Sequence, residues 1–92
     1  MATSTSYKAI HFPLNPSLSR LITWEEHPPL HELQALVGGP IEVIRAPKFP
    51  GCTLLADEEG TFKVDPQINR VGFNLCGQPL VGPLLLLLFP LE

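Results

Sequence analysis

Three histidines, two cysteines and a run of three acidic residues are the side chains in this 92-residue chain whose types invite a chemical reading. His27 and His31 stand four apart with Glu32 following, a spacing that on one helix face would turn two imidazoles toward a metal. Pro28 and Pro29 lie between them, so His27 precedes any helix and His31 falls in its first turn. The shared face is lost, and solvent-exposed or helix-entry histidines are expected instead. His11 alternates with apolar residues and reads as a surface or satisfied sheet histidine. Asp57-Glu58-Glu59 lacks the alternating oxygen ligands and closing Glu of a calcium loop, so a solvated turn is expected and no metal. Cys52 and Cys76 could close one disulfide, but they form no C-x-x-C pair. Neighbours such as Leu54, Leu55 and Leu75 predict inert, buried thiols.

No nucleophile elbow, phosphate loop or dinucleotide fingerprint is present. Gly38-Gly39 follows a helix pattern and precedes a strand pattern, the reverse of a dinucleotide loop. A binding role is therefore favoured over an enzymatic one, with no cofactor. The residues left for ligand binding are Arg45, Asn69 and Arg70. Asn69 falls mid-way along a predicted short helix, where its propensity is poor. Its amide either faces water, hydrogen-bonds a neighbouring loop to fix the helix on the sheet, or joins Arg45 and Arg70 around an anion.

The elements that must position these residues follow from composition and periodicity. Domains of about 100–150 residues are typical, so 92 residues hold one core. The charged fraction is 16% against the usual figure of about 25%, and 11 prolines mark a turn-rich chain. High apolar content with a net charge of only −3 argues against disorder and against general nucleic-acid binding. The start, Met1-Ala2-Thr3-Ser4-Thr5-Ser6, reads as a disordered leader over residues 1–6 without the apolar stretch of a secretion signal. Reduced thiols and a cytoplasmic setting are expected. Leu84 to Phe89 is far shorter than the roughly 20 residues a membrane helix needs, so no membrane association is expected.

Residues 7–92 read as a single α+β domain. Tyr7–Phe12 and Arg20–Trp24 form a predicted hairpin. Leu30, Leu33, Leu36 and Val37 share one face of a helix from Pro29 to Val37, stopped by Gly38-Gly39-Pro40. Strands are expected at Ile41–Arg45 and Cys52–Ala56. A turn at Asp57–Gly60 then returns Thr61-Phe62-Lys63 as an antiparallel strand. Asp65-Pro66 predicts the start of a short second helix carrying Ile68, Val71 and Leu75 and ending at Gly77. The last run, Leu84 to Phe89, is apolar on both alternating faces and belongs in the middle of a sheet. The expected fold is a small mixed sheet of about five or six strands with one main and one short helix on one face, in a β-grasp-like outline.

Four segments taken in order carry a resemblance: Leu33–Glu42 with its Val37-Gly38-Gly39, Ala56–Gly60 with its Glu58-Glu59-Gly60, Pro66–Arg70 with Asn69, and Leu80-Val81-Gly82-Pro83. Together the chain resembles a small single-domain family of unknown function found in bacteriophages, plasmids and bacteria. That family tends to place Asn where this chain has Asp57, while Asn69 matches its characteristic asparagine. The resemblance implies mobile-element ancestry and a cytoplasmic accessory protein of the bacterial host cell, and it implies no activity. By analogy with small phage proteins, the leading expectation is a non-enzymatic protein that binds a host protein and interferes with a host or defence process. The alternatives are an oligomeric sponge for a nucleotide-derived signal, held by Arg45, Asn69 and Arg70, and a minimal metal-dependent hydrolase using His11 or Asp57-Glu58-Glu59. So much leucine in so short a chain also predicts a homo-oligomer burying an apolar face.

Overall fold

A computed structural model describes residues 7–44, 48–63 and 65–90; the leader and Arg45 lie outside the described residues. Strand β1 (Tyr7–Phe12) and strand β2 (Arg20–Trp24) form the expected antiparallel hairpin, with Tyr7 opposite Trp24 and His11 opposite Arg20. Pro13 ends β1 because it has no N–H to give a ladder. Helix α1 (Leu30–Val37) starts one residue later than its apolar stripe suggested, since Pro29 takes the N-cap position. Gly38 stops it at φ 93°, a left-handed conformation that lets its N–H donate to the Gln34 carbonyl at 2.8 Å. Strands β3 (Ile41–Ile44) and β4 (Thr53–Asp57) then pair antiparallel.

The leucine run forms strand β7 (Leu84–Leu87), between β1 and β4 at the centre of a sheet ordered β2-β1-β7-β4-β3. The class is α+β, as expected. Within it every ladder is antiparallel, β1 against β7 included, so the parallel component of a mixed, β-grasp-like sheet is not found among the described strands. The two helices also lie on opposite faces of the sheet rather than on one. Leu33 and Val37 of α1 pack on Ala9, Leu55, Leu85 and Leu87. The other face, Leu54, Ala56, Leu84 and Leu86, is covered by Leu80 together with Leu75 and Cys76 of helix α2 (Arg70–Cys76). Side chains alternate across a strand, so an all-leucine central strand requires cover on both sides. A helix on one side alone would leave Leu84 and Leu86 in water.

Two further expectations are corrected. Thr61-Phe62-Lys63 is not a returning strand: Gly60–Phe62 is a single 3-10 turn, closed by Phe62 N–H to the Glu59 carbonyl at 3.0 Å. The second helix does not begin at Asp65-Pro66. Asp65 has φ 56°, left-handed rather than the extended backbone of an N-cap, and Ile68–Asn69 is a short strand β5 paired with β6 (Leu80–Val81). The helix begins after Asn69, whose side chain caps it, and ends as expected at Gly77 with φ 76°. α2 lies tight on the sheet, because a Cβ on Gly72 would stand less than 3.0 Å from Leu84 Cδ1.

Burial on both faces has a direct consequence. Leu85→Ala and Leu86→Ala are each expected to lower stability by about 2–5 kcal/mol in urea unfolding. A near-neutral result for either one would contradict the two-sided cover.

Candidate functional site

The segments that carry the sequence resemblance are far apart in the chain and meet at one end of the sheet. α1 ends at Gly38-Gly39, where a Cβ on Gly39 would crowd Asp57, with Cγ at 2.9 Å. Glycine there lets the chain pass over a carboxylate that is only 7% exposed. Asp57 Oδ2 lies 2.6 Å from Lys63 Nζ, and Asp57 Oδ1 accepts the Glu59 N–H at 2.9 Å. Lys63 Nζ also donates to the Gly38 carbonyl, so one ammonium ties the end of α1 to the end of β4. The Glu58 N–H donates to the Pro40 carbonyl at 2.7 Å and continues the β3–β4 ladder past its last strand pair.

Burial alone would push the Asp57 carboxyl up. The Lys63 hydrogen bond and charge, with the Glu59 N–H, outweigh it and hold the group below its ordinary value of 3.8. Asp57 is therefore an anion with both oxygens engaged, suited to holding a turn rather than to taking a proton.

On the other side, Asn69 is 1% exposed and fully engaged. Its Nδ2 donates to the Phe12 and Gly82 carbonyls, each at 2.9 Å, and its Oδ1 accepts the Gly72 N–H at 3.1 Å. One amide thus joins the end of β1, the turn after β6 and the first turn of α2. Between these two networks lies a cavity of about 170 Å³, lined among others by Gly38, Asp57, Lys63, Gln67, Val81 and Gly82. Lys63, half exposed, supplies the positive charge in its wall.

A family model described as a domain of unknown function (DUF3846) matches residues 11–90, a span that includes every one of these segments. The chain belongs to that family. Neither a curated protein nor a solved structure matches it.

In this DUF3846 domain two of the three residues expected to bind a ligand are described, Asn69 buried and Arg70 exposed. Asn69 is interior, with both N–H groups and its oxygen bonded to protein, which fits the expectation that it fixes the helix on the sheet. Arg70 is exposed at the start of α2, and Arg45 is outside the described residues. His11 is a satisfied sheet histidine, its Nε2–H donating to the Leu36 carbonyl at 2.8 Å. His27 lies edge-on to Tyr7 and Phe89, with ring centroids 5.4 and 5.6 Å away, while His31 is exposed. Both thiols are free and half-buried, and Cys76 Sγ donates to the Gly72 carbonyl at 3.2 Å. Among the described residues no group of three or more His, Cys, Asp or Glu is placed to hold a metal ion.

Lys63 is the site residue that sequence reasoning missed. Placed on an expected strand, it had no apparent partner, because its acceptors Asp57 and Gly38 are brought to it only by the turn and by α1.

Asn69→Ala is expected to lower stability by about 2–4 kcal/mol, since it removes a helix cap and leaves two half-buried carbonyls without this donor; Arg70→Ala should be neutral within about 0.5 kcal/mol. Equal effects of the two in thermal or urea unfolding would contradict the assignment. Asp57→Asn should cost about 1–2 kcal/mol at neutral pH. A depressed folded-state pKa contributes stability that is complete above the unfolded value and is lost as pH falls through the folded one. The gap between parent and variant should therefore hold at mildly acidic pH and close below about 3.8. A gap that widened on acidification would reverse the sign of the shift.

Proposed function

We propose that this domain is a non-enzymatic accessory protein of phage or mobile-element type that acts by binding a host protein, one of whose side chains enters the cavity between the two networks. The observation that carries the reading is a small cavity with exposed apolar residues in its lining and in the adjoining chain. About 170 Å³ is well under the roughly 300–1,000 Å³ of pockets that hold drug-sized ligands, and it suits a single protruding side chain. Exposed apolar residues occur in its lining and next to it in the chain. Leu14, in the lining, is 40% exposed; Phe62, next to Lys63, is 86% exposed; Ile68, next to Gln67, is 59% exposed. Exposed aromatic and aliphatic anchors beside a small pocket are the usual make-up of a protein-binding hot spot. Lys63 favours a carboxylate or carbonyl on the entering group.

The phage and host parts of the reading rest on the sequence resemblance. They put the protein in the cytoplasm of a bacterial host, where covering a host or defence protein's surface would interfere with it. Among the described residues no helix is long and apolar enough to cross a membrane.

Affinity capture from bacterial lysate should enrich one host protein that then forms a complex with the purified domain. Phe62→Ser should weaken that complex about tenfold or more while leaving the unfolding midpoint unchanged. Capture indifferent to Phe62, or a nucleotide-sized mass retained per chain in native mass spectrometry, would overturn the reading in favour of another surface or of sequestration.

A further inference from the structure

The sheet ends on β2, and one hydrogen bond shows what its outer edge presents. The Leu88 N–H donates to the Lys8 carbonyl at 2.8 Å, so the even-numbered residues of β1 direct their backbone groups at β7. Backbone groups alternate along a strand, so Tyr7, Ala9 and His11 direct theirs at β2. Their partners Trp24, Ile22 and Arg20 answer them. Leu21 and Thr23 therefore point their N–H and C=O groups away from the sheet, and no described strand lies beyond them. Open edges are commonly blunted by proline, lysine or a bulge. Arg20-Leu21-Ile22-Thr23-Trp24 has no proline and no lysine. On the α1 side of this edge runs a groove of about 280 Å³ whose lining is mostly apolar, with Ile22, Trp24, Ala35 and Leu36 between Arg20 and Glu32. On the opposite side Leu21 is 58% exposed.

We propose that β2 pairs antiparallel with β2 of a second copy of this chain, about a two-fold axis through Ile22, joining two five-stranded sheets into one. In this register all five residues of the strand are paired. Leu21 of each copy faces Thr23 of the other, so every outward N–H and C=O of both strands gains a partner. The two Ile22 side chains meet at the axis. Arg20 of each copy comes opposite Trp24 of the other, whose indole Nε1 donates to Glu32 Oε2 at 3.1 Å. The guanidinium therefore reaches an aromatic ring and a carboxylate together, and the complementarity repeats at both ends of the isologous interface. α1 packs on β7, β4 and β3, so the two copies of α1 stand clear of each other.

The other sheet edge is closed to the same pairing. The Glu58 N–H bond to the Pro40 carbonyl directs Glu42 at β4 and leaves Ile41 and Val43 outward. The corresponding axis through Glu42 would set two carboxylates side by side, and like charges directly opposite are destabilising. Self-pairing is thus specific to β2.

The test is light scattering after size exclusion at micromolar concentration, combined with two cysteine variants. The parent chain should be a dimer. Thr23→Pro removes only an outward N–H and should give a folded monomer by circular dichroism. Ile22→Cys should form a covalent dimer under mild oxidation, because the two Ile22 Cα atoms face each other in a close pair at about 4.5 Å, within disulfide range. Thr23→Cys should not, because its neighbour across the axis is Leu21. A monomeric parent, a Thr23→Pro chain that stays dimeric, or equal cross-linking at residues 22 and 23 would overturn the proposal. Should Thr23→Pro fail to fold, the cysteine pair decides it. A parent that is monomeric alone but binds an extended peptide along β2 would assign the edge to a different partner.

Discussion

The structure depends on burying the central strand on both sides. Leu84, Leu85 and Leu87 are fully buried and Leu86 nearly so, which obliges the chain to build one layer above the sheet and another below it. Each fully buried leucine is worth about 1.5–3 kcal/mol relative to exposure, so neither layer is dispensable in a domain of this size. The upper layer, α1, is an ordinary amphipathic helix with its stop signal. The lower layer is harder to make, because α2 and the β5–β6 pair are each too short to be stable by themselves.

Asn69 solves that problem. Its amide caps α2, and it also takes up the last carbonyl of β1 and the carbonyl of Gly82, so the lower layer is fastened to the sheet at the point where the helix begins. Asp57 and Lys63 do the equivalent work for the upper layer, joining the end of β4 to the end of α1 through the Gly38 carbonyl. The cavity is the space these two fastenings leave between them. The short segments that carry the sequence resemblance therefore share a physical role in this chain: they hold the two covering layers to one sheet and shape the hollow at their junction.

Much of this was legible in the sequence wherever the signal is local. The β1–β2 hairpin, α1 with its Gly38 stop, the strand at Ile41, the Gly77 stop and the central place of the leucine run all follow from periodicity and turn chemistry within a few residues. The failures are non-local. Asp65-Pro66 has the composition of a helix start, yet the start moved to Asn69 because the partners of that amide, Phe12 and Gly82, lie 57 and 13 residues away. Thr61-Phe62-Lys63 reads as a strand until Lys63 is seen to reach Gly38, 25 residues back. The placement of the helices on opposite faces was implicit in a run apolar on both faces, but a helix count alone does not say which face each helix covers. The same limit explains why Asn69 stood out as unusual for its position while its role stayed open, and why Lys63 drew no notice.

The most direct measurement is a methyl-resolved nuclear Overhauser experiment on the leucine strand. Two-sided cover places the Leu85 and Leu87 methyls near Leu33 and Val37 of α1, and the Leu84 methyls near the Gly72 α-protons of α2, with no cross-peaks from Leu84 to α1. Cross-peaks joining Leu84 and Leu85 to the same helix would contradict the layering, and with it the meeting of segments that forms the site.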